Sequence, residues 1–269
     1  MRLILYSLDD LAGCNISKAL VGGCGFKETG GTHDGMPTYG KGDVVLAASK
    51  KNVKDIDSVQ FKPEVCVVAS RHKSESGKPT LTCHPTGNFG GADLGGLPGR
   101  LQLTNSLYLR QSLILLNEAK GKYGLPHEVS MEVTHHGPTE LPFPLLYIEV
   151  GSAEEQWRDM RTCQAVAGVI DELMFAQVED KSSAIGFGGP HYAPNFNLVA
   201  KDYAVGHIMP KYAAEHITRE MVKEMVAKTT PEPQTAIVDW KGLRGAEKDM
   251  LQGILDKLGM RWVKTSGLK

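Results

Sequence analysis

Several histidines and one glutamate stand where strand-like segments of the sequence end. One strand-like run, whose polar face carries Glu132, continues directly into His135 and His136. The next run carries Glu149 near its carboxyl end. His84 opens one glycine-rich segment, and His191 closes another. Neutral imidazoles with one carboxylate are typical zinc ligands, and the same groups could act without metal as a general base and its orienting partner. The spacing alone leaves both possibilities open.

The sequence lacks the motifs of several common enzyme classes. It contains no HExxH or CxxC pair, no GxSxG elbow, no P-loop and no GxGxxG in the dinucleotide-binding phase. Cys83 stands beside His84, but adjacent strand residues point to opposite faces, so a cysteine nucleophile is disfavoured. The backbone amides of Gly188 and Gly189 are candidates for an oxyanion or phosphate site, because glycine permits close approach.

Composition narrows the class of protein further. The chain has 269 residues, of which 41% are hydrophobic and 23% charged, as in an ordinary globular protein. No apolar run approaches the roughly 18–20 residues of a membrane span, and the N-terminus lacks the apolar centre of a signal peptide. Five scattered cysteines argue against a disulfide framework. A reduced, cytoplasmic protein is therefore expected. The net charge of −1 does not indicate nucleic-acid binding, although a local basic patch could still hold phosphates.

The segments that must position these side chains alternate between strand and helix. Strand-like runs cover 3–6, 44–48, 65–69, 129–133, 145–150 and 235–238. Helical periodicity covers 106–120, 153–175, 213–225 and 251–258. This alternation predicts an α/β fold with a central mixed, largely parallel sheet flanked by helices. With no repeat and no linker, residues 1–269 are expected to form a single elaborated domain. Three glycine clusters, at 22–42, 87–99 and 186–189, are interpreted as long loops near a site.

Four motifs together resemble a known family. VASRH at 68–72, HPTGNFG at 84–90, EVTHHGPT at 132–139 and GFGGPHY at 186–192 occur in that order. They are similar to the D-aminoacyl-tRNA deacylases of the archaeal and plant type, and the likeness extends over nearly the whole chain. The resemblance implies hydrolysis of the ester that joins a D-amino acid to the 3′ acceptor end of tRNA, which is chiral proofreading in translation. It also implies association with zinc and a fold akin to phosphorylases and peptidyl-tRNA hydrolases.

The resemblance and the residue pattern together define a candidate site. An aminoacyl ester needs a positioned water, a base and an oxyanion stabiliser rather than a strong nucleophile. The candidate catalytic residues are His135, His136, Glu149 and His191. The candidate zinc ligands are His84, His135, His136, Glu149 and His191. The candidate substrate-binding residues are Arg71, Lys73, His84, Asn88, Thr139, Gly188 and Gly189. The charged run Arg71-His72-Lys73, and in addition Lys120 with Lys122, are interpreted as candidate phosphate contacts, although such runs are more often solvated charge.

Two alternatives from other classes remain. A zinc-dependent amidohydrolase or peptidase could use the same histidines on a small substrate. A non-enzymatic RNA-binding module is the other alternative, and the near-neutral charge counts against it. No obligatory protein partner is evident, so a monomer is expected.

Overall fold

The computed structural model describes residues 1–268 of the chain. Over these residues fourteen strands form. They are β1 (Arg2–Ser7), β2 (Lys27–His33), β3 (Met36–Lys41), β4 (Val44–Ser49), β5 (Cys66–Arg71), β6 (Thr80–His84), β7 (Thr104–Asn105), β8 (Glu128–Met131), β9 (Leu145–Gly151), β10 (Ser182–Phe187), β11 (Tyr203–Met209), β12 (Thr229–Thr230), β13 (Thr235–Val238) and β14 (Arg261–Lys264). The helices are α1 (Leu11–Gly23), α2 (Ser106–Tyr123), α3 (Glu154–Arg158), α4 (Met160–Phe175), α5 (Pro194–Val199), α6 (Arg219–Ala227) and α7 (Gly245–Lys257).

The strands form a large mixed sheet, a smaller parallel one and the short parallel pair of β7 with β12. The large sheet has eight strands in the order β2-β3-β4-β1-β5-β9-β6-β8, and the smaller has the order β11-β10-β13-β14. In the large sheet β4, β1, β5 and β9 run parallel, whereas β6 runs antiparallel to β9 and carries β8 parallel to itself. Helices flank both sheets, so the predicted fold class is confirmed.

One hydrophobic core connects the two sheets. The same cluster of buried side chains includes Ile4 and Val67 of the large sheet and Val205 and Ile208 of the small sheet. Helix α2 packs against β6 of the first sheet and β11 of the second. A division of the chain into domains stays a prediction, but this shared core favours one unit. Within the described residues, no helix is both long and apolar enough to cross a membrane.

Two of the predicted helices are interrupted by capping residues. The helix expected over 153–175 is broken at Asp159, whose carboxylate accepts from the backbone N–H of Arg161 and the hydroxyl of Thr162. The helix expected over 213–225 is a 3₁₀ turn followed by α6, which begins after Thr218. In both cases a short polar side chain competes with the helical backbone and starts a new helix. Apolar periodicity alone does not detect this break.

The first glycine-rich segment is not a loop near a site. Its residues form β2 and β3, an antiparallel pair at the edge of the large sheet. Gly35, with φ of +72°, makes the turn between the strands. The prediction of a functional loop at 22–42 was therefore wrong, because glycine-rich strands resemble loops in sequence.

Candidate functional site

The candidate site lies over one face of the large sheet, where β5, β9 and β6 are neighbours. Glu149 of β9 pairs with Ser70 of β5 on one side and Thr82 of β6 on the other. His72 and His84 both stand at the carboxyl ends of their strands, but β5 and β6 run in opposite directions, so the two residues lie towards opposite edges of the sheet. The Oε2 atom of Glu149 lies 3.4 Å from His72 Nδ1 and 3.7 Å from His84 Nε2. The site is thus built across the sheet and not along a single carboxyl edge.

Helix α1 fixes the end of β5 from which His72 emerges. Asp10, the N-cap of α1, accepts from the backbone N–H of Gly13 and, through its other oxygen, from Arg71 N and Ser70 Oγ, each at 2.8–2.9 Å. A Cβ on Gly13 would lie 2.6 Å from the carbonyl oxygen of Ala69, so only glycine allows this approach of helix to strand. The N-cap therefore stabilises the helix and orients the strand end together.

Glu132 is the centre of the cluster. It follows β8, and no part of its side chain is exposed. Its Oε1 lies 2.9 Å from His72 Nδ1, while its Oε2 lies 2.9 Å from His191 Nε2 and 3.4 Å from His135 Nε2. A buried carboxylate is costly unless it is paired, so the two close imidazoles of His72 and His191 explain how it is tolerated.

His135 and His136 are held with defined ring orientations. The Nδ1–H of His135 donates to the carbonyl of Val133 at 2.8 Å, and that of His136 donates to the carbonyl of Gly137 at 2.6 Å. Since a carbonyl only accepts, both rings carry the proton on Nδ1 and leave Nε2 as a lone-pair donor. His136 also has φ of +43°, a conformation that residues other than glycine rarely adopt outside functional sites.

The charges of the cluster divide into two kinds. Burial alone would lower the pKa of His72, but the carboxylates of Glu132 and Glu149 outweigh it and raise the pKa to about 11. Burial would raise the pKa of Glu132, yet the close imidazoles of His191 and His72 hold it well below its usual range. Burial and the nearby His84 lower the pKa of His136 to about 4, and the same two causes lower that of His135. An ionised centre therefore stands beside two neutral imidazoles.

Two cavities open onto the histidines. The first, which we call the basic cavity, has a volume of about 370 Å³ and is lined by Lys54, Arg71 and Lys73 together with His72 and Glu149. The second, which we call the aromatic cavity, has a volume of about 450 Å³ and is lined by Phe89, Leu94, Pro210, Tyr212, Ala213 and His216 among others. His135, His136 and His191 line both cavities. A bound molecule can thus reach these three side chains from either cavity.

The donor atoms fit a metal ion. Three triads each place their ligand atoms within 4.8 Å of one another, and they are His84–His135–His136, His72–Glu132–His191 and His84–Glu132–Glu149. The buried Nε2 of His84 and both carboxylate oxygens of Glu132 make no regular hydrogen bond within the described protein. Imidazole nitrogens and carboxylate oxygens are the ligands that zinc takes in catalytic sites.

The structure brings the predicted catalytic residues together, although the roles given to them stay predictions. His84, His135, His136, Glu149 and His191 all belong to the cluster. His84 is fully buried, and its ring stacks on Tyr147 with centroids 5.2 Å apart. It therefore lies behind the cavities, which agrees with a ligand or orienting role better than with the substrate contact also predicted for it.

The predicted substrate contacts are divided among different places. Arg71 and Lys73 line the basic cavity. Asn88 borders the aromatic cavity, but its side-chain amide donates to the carbonyls of Gly95 and Leu97 and so shapes a loop. Thr139 accepts from the backbone N–H of Leu97 and lines a separate cavity of about 200 Å³. Thr139 is thus a loop residue away from the histidines.

The predicted oxyanion role of Gly188 was wrong. Its N–H donates to the carbonyl of Met209 at 2.8 Å, because the segment continues the pairing of β10 with β11. Neither Gly188 nor Gly189 lines the basic or the aromatic cavity, and both pack beside Asp239. Lys120 and Lys122 lie in the last turn of α2, which leads into the amino end of β8 and away from the cluster at its carboxyl end.

Sequence reasoning missed two residues of the cluster, His72 and Glu132. His72 ends the VASRH motif at 68–72, and Glu132 begins the EVTHHGPT motif at 132–139. His72 was interpreted as part of a charged run with Arg71 and Lys73, whereas its ring points inward and is buried. Glu132 was placed on the polar face of a strand. A carboxylate inside a strand that leads to two histidines is the signal that could have identified it.

Two other histidines lie outside the cluster and stabilise the fold by hydrogen bonding or packing. His207 lies within β11 and hydrogen-bonds to Thr134 and to the carbonyl of Gln102. His33 packs against Phe61 beside the β2–β3 turn. The fully buried Cys83 does not join the site either, because burial raises the pKa of its thiol and disfavours the reactive thiolate.

Fold and site together define a class: an α/β protein with a buried histidine–glutamate centre suited to hydrolysis, open to a cavity rich in cationic side chains. Comparison with known proteins assigns the chain to a family of hydrolases. The family model described as D-aminoacyl-tRNA deacylase matches residues 59–263. The chain belongs to the D-aminoacyl-tRNA deacylase family.

Individual relatives match over nearly their full length. The D-aminoacyl-tRNA deacylase of Thermococcus kodakarensis is 35% identical over 275 residues, covering 98% of this chain and all of the relative. That of Archaeoglobus fulgidus is 30% identical over 277 residues, covering 100% and 98%. A crystal structure described as a conserved protein of unknown function superimposes with a TM-score of 0.91 at 30% identity, covering 100% of this chain and 96% of the other.

Proposed function

We propose that the protein hydrolyses the ester bond between a D-amino acid and the 3′ end of tRNA, releasing both. Family membership supports this reaction, and one observation carries the location of the site. The observation is the buried carboxylate of Glu132, which contacts His72 and His191 at 2.9 Å and lies beside His135, behind the histidines that line both cavities. A hydrolysis needs a base, an orienting charge and room for both parts of the substrate, and this arrangement offers all three.

The neutral histidines are suited to move the proton. His135 and His136 each present an unprotonated Nε2, so one of them can accept a proton from the attacking water and return it to the leaving 3′ oxygen. Glu132 and Glu149 hold the surrounding imidazoles in place and balance their charge. A zinc ion bound by one of these triads would supply a Lewis acid and a more acidic bound water, and a histidine that bound it through Nε2 would then be a ligand and not the base.

A comparison of three substrates tests the proposal. We expect the purified protein to hydrolyse D-aminoacyl-tRNA far faster than a free D-aminoacyl ester, and not to cleave a peptide. Peptide cleavage would instead support the zinc-dependent amidohydrolase or peptidase. Binding of tRNA without hydrolysis would support the RNA-binding module.

Chelation should lower activity much more than the melting temperature. The chain has its own extensive core, and the candidate ligands come from loops and strands that this core already holds. We therefore expect a chelated sample to keep its thermal midpoint, to lose turnover and to regain it with added zinc, as followed by metal analysis, calorimetry and assay. Unfolding on chelation would make the metal structural. Full activity in metal-free protein would mean that the histidines act alone.

Affinity for tRNA should fall as salt rises. Lys54, Arg71 and Lys73 are available to hold phosphates at the basic cavity, and each phosphate contact contributes about 0.7–0.9 to the slope of log affinity against log salt. We expect the double variant Arg71→Glu, Lys73→Glu to flatten this slope and to spare hydrolysis of a small ester. The matched variant Lys120→Glu, Lys122→Glu should not change it. A salt-independent affinity of the wild type would contradict these phosphate contacts.

Zinc content, a monomeric state and a cytoplasmic location stay predictions.

A further inference from the structure

The two cavities that share the histidines differ in charge. Lys54 and Arg71 are half-buried and Lys73 is exposed, and all three line the basic cavity. Within residues 1–268, by contrast, no lysine or arginine lines the aromatic cavity. Asp93 is the one carboxylate that lines it. Asp10 and Glu149 also line the basic cavity, but their carboxylates are already bound within the protein, Asp10 by Ser70 and Arg71 N and Glu149 beside His72. The contrast in charge therefore favours a phosphate-bearing chain in the basic cavity and an uncharged side chain in the aromatic one.

The aromatic cavity is built by packing between two segments. One is the second glycine-rich loop, which contributes Phe89, Gly90 and Gly91, and the other is the 3₁₀ turn Lys211–His216 after β11. A Cβ on Gly90 would collide with the ring of His216, so glycine lets the loop lie directly against this turn. The resulting wall is mainly apolar, with Phe89 nearly buried and Tyr212 59% exposed at the opening.

We infer that the aromatic cavity receives the side chain of the D-amino acid, while the basic cavity receives the phosphate-bearing 3′ end of the tRNA. This inference rests on the proposed function and deepens it. The scissile ester then lies at His135, His136 and His191, which with Leu94 are the residues common to both cavities. The volume of about 450 Å³ lies within the usual range of small-molecule sites, so a large aromatic side chain has room.

Two variants alter the aromatic cavity from opposite directions. Gly91→Leu fills it: a Cβ there meets nothing nearer than Asp93 Oδ1 at 4.0 Å, and Gly91 does not need a positive φ. Tyr212→Ala removes part of the wall at an exposed position, so the fold should tolerate it. Tyr123→Ala, at the partly exposed end of α2, is the matched control.

The test compares D-phenylalanyl and D-alanyl esters carried on one and the same tRNA. We expect Gly91→Leu and Tyr212→Ala each to lower kcat/KM for D-phenylalanyl-tRNA by about 10-fold relative to D-alanyl-tRNA, as for a change of a few carbons in an apolar pocket. Tyr123→Ala should leave the ratio unchanged. The thermal midpoint of each variant, measured alongside, checks that it is folded.

The outcomes separate the possibilities. An equal loss for both substrates would overturn the inference and assign the cavity to the terminal nucleotide, which both substrates share. No loss for either would remove the cavity from the substrate site. A wild-type protein inactive on both D-aminoacyl-tRNAs would overturn the proposed function and this inference with it, whereas an active wild type with an unchanged ratio in both variants would overturn the inference alone.

Discussion

Replacing Glu132 with glutamine should lower kcat/KM for D-aminoacyl-tRNA by about 10²–10⁴-fold, the range expected for loss of a group that supports proton transfer. Glutamine keeps the shape of the side chain but removes the charge that faces His72, His135 and His191. The imidazoles then lose the partner that orients them. The rate should be measured with saturating and limiting substrate, together with the thermal midpoint.

Glu128→Gln is the matched control for this substitution. Glu128 begins the strand that leads to Glu132, but its side chain is exposed. We expect this variant to retain wild-type turnover. Activity within a fewfold of wild type in Glu132→Gln would contradict the central place given to this carboxylate.

The second large effect should come from His135→Ala and His136→Ala, each made singly. Both rings carry an unprotonated Nε2 and line both cavities, so each is a candidate base or zinc ligand. We expect at least one of the two variants to lose about 10²–10⁴-fold in turnover while the protein stays folded. His33→Ala, which removes an imidazole outside the cluster, should retain turnover. Near-normal turnover in both His135→Ala and His136→Ala would remove them from the mechanism.

Local patterns in the sequence were sufficient for much of the scaffold. The runs at 145–150 and 235–238 became β9 and β13 because β-branched and apolar residues dominate them. The helix expected from residue 106 begins there, since Asn105 caps it through the N–H groups of Leu107 and Tyr108. These features are decided by neighbours in the chain, so they can be predicted from the chain.

The exact membership of the site could not be predicted in the same way. His84, His135, His136, Glu149 and His191 were recognised because they stand beside strand ends and glycines. Which face of the sheet they share depends on the antiparallel insertion of β6 beside β9, and pairing of strands distant in sequence leaves no local signal.

Burial explains the two residues that were missed. His72 is flanked by two cations and looks solvated, yet the N-cap of α1 holds the end of β5 so that the ring turns inward. Glu132 looks like the outward residue of an alternating strand. In the folded chain the imidazoles of His72, His135 and His191 lie around it. Only this tertiary arrangement offsets the free-energy cost of burying the carboxylate.

The most direct test is the rate at which the purified protein releases the amino acid from one tRNA charged in turn with the D- and the L-form of the same residue. We expect rapid release of the D-amino acid, slow release of the L-amino acid, and a return towards the spontaneous rate in Glu132→Gln. Hydrolysis of D-aminoacyl-tRNA no faster than the spontaneous reaction, or equally fast hydrolysis of both forms, would contradict the proposed function.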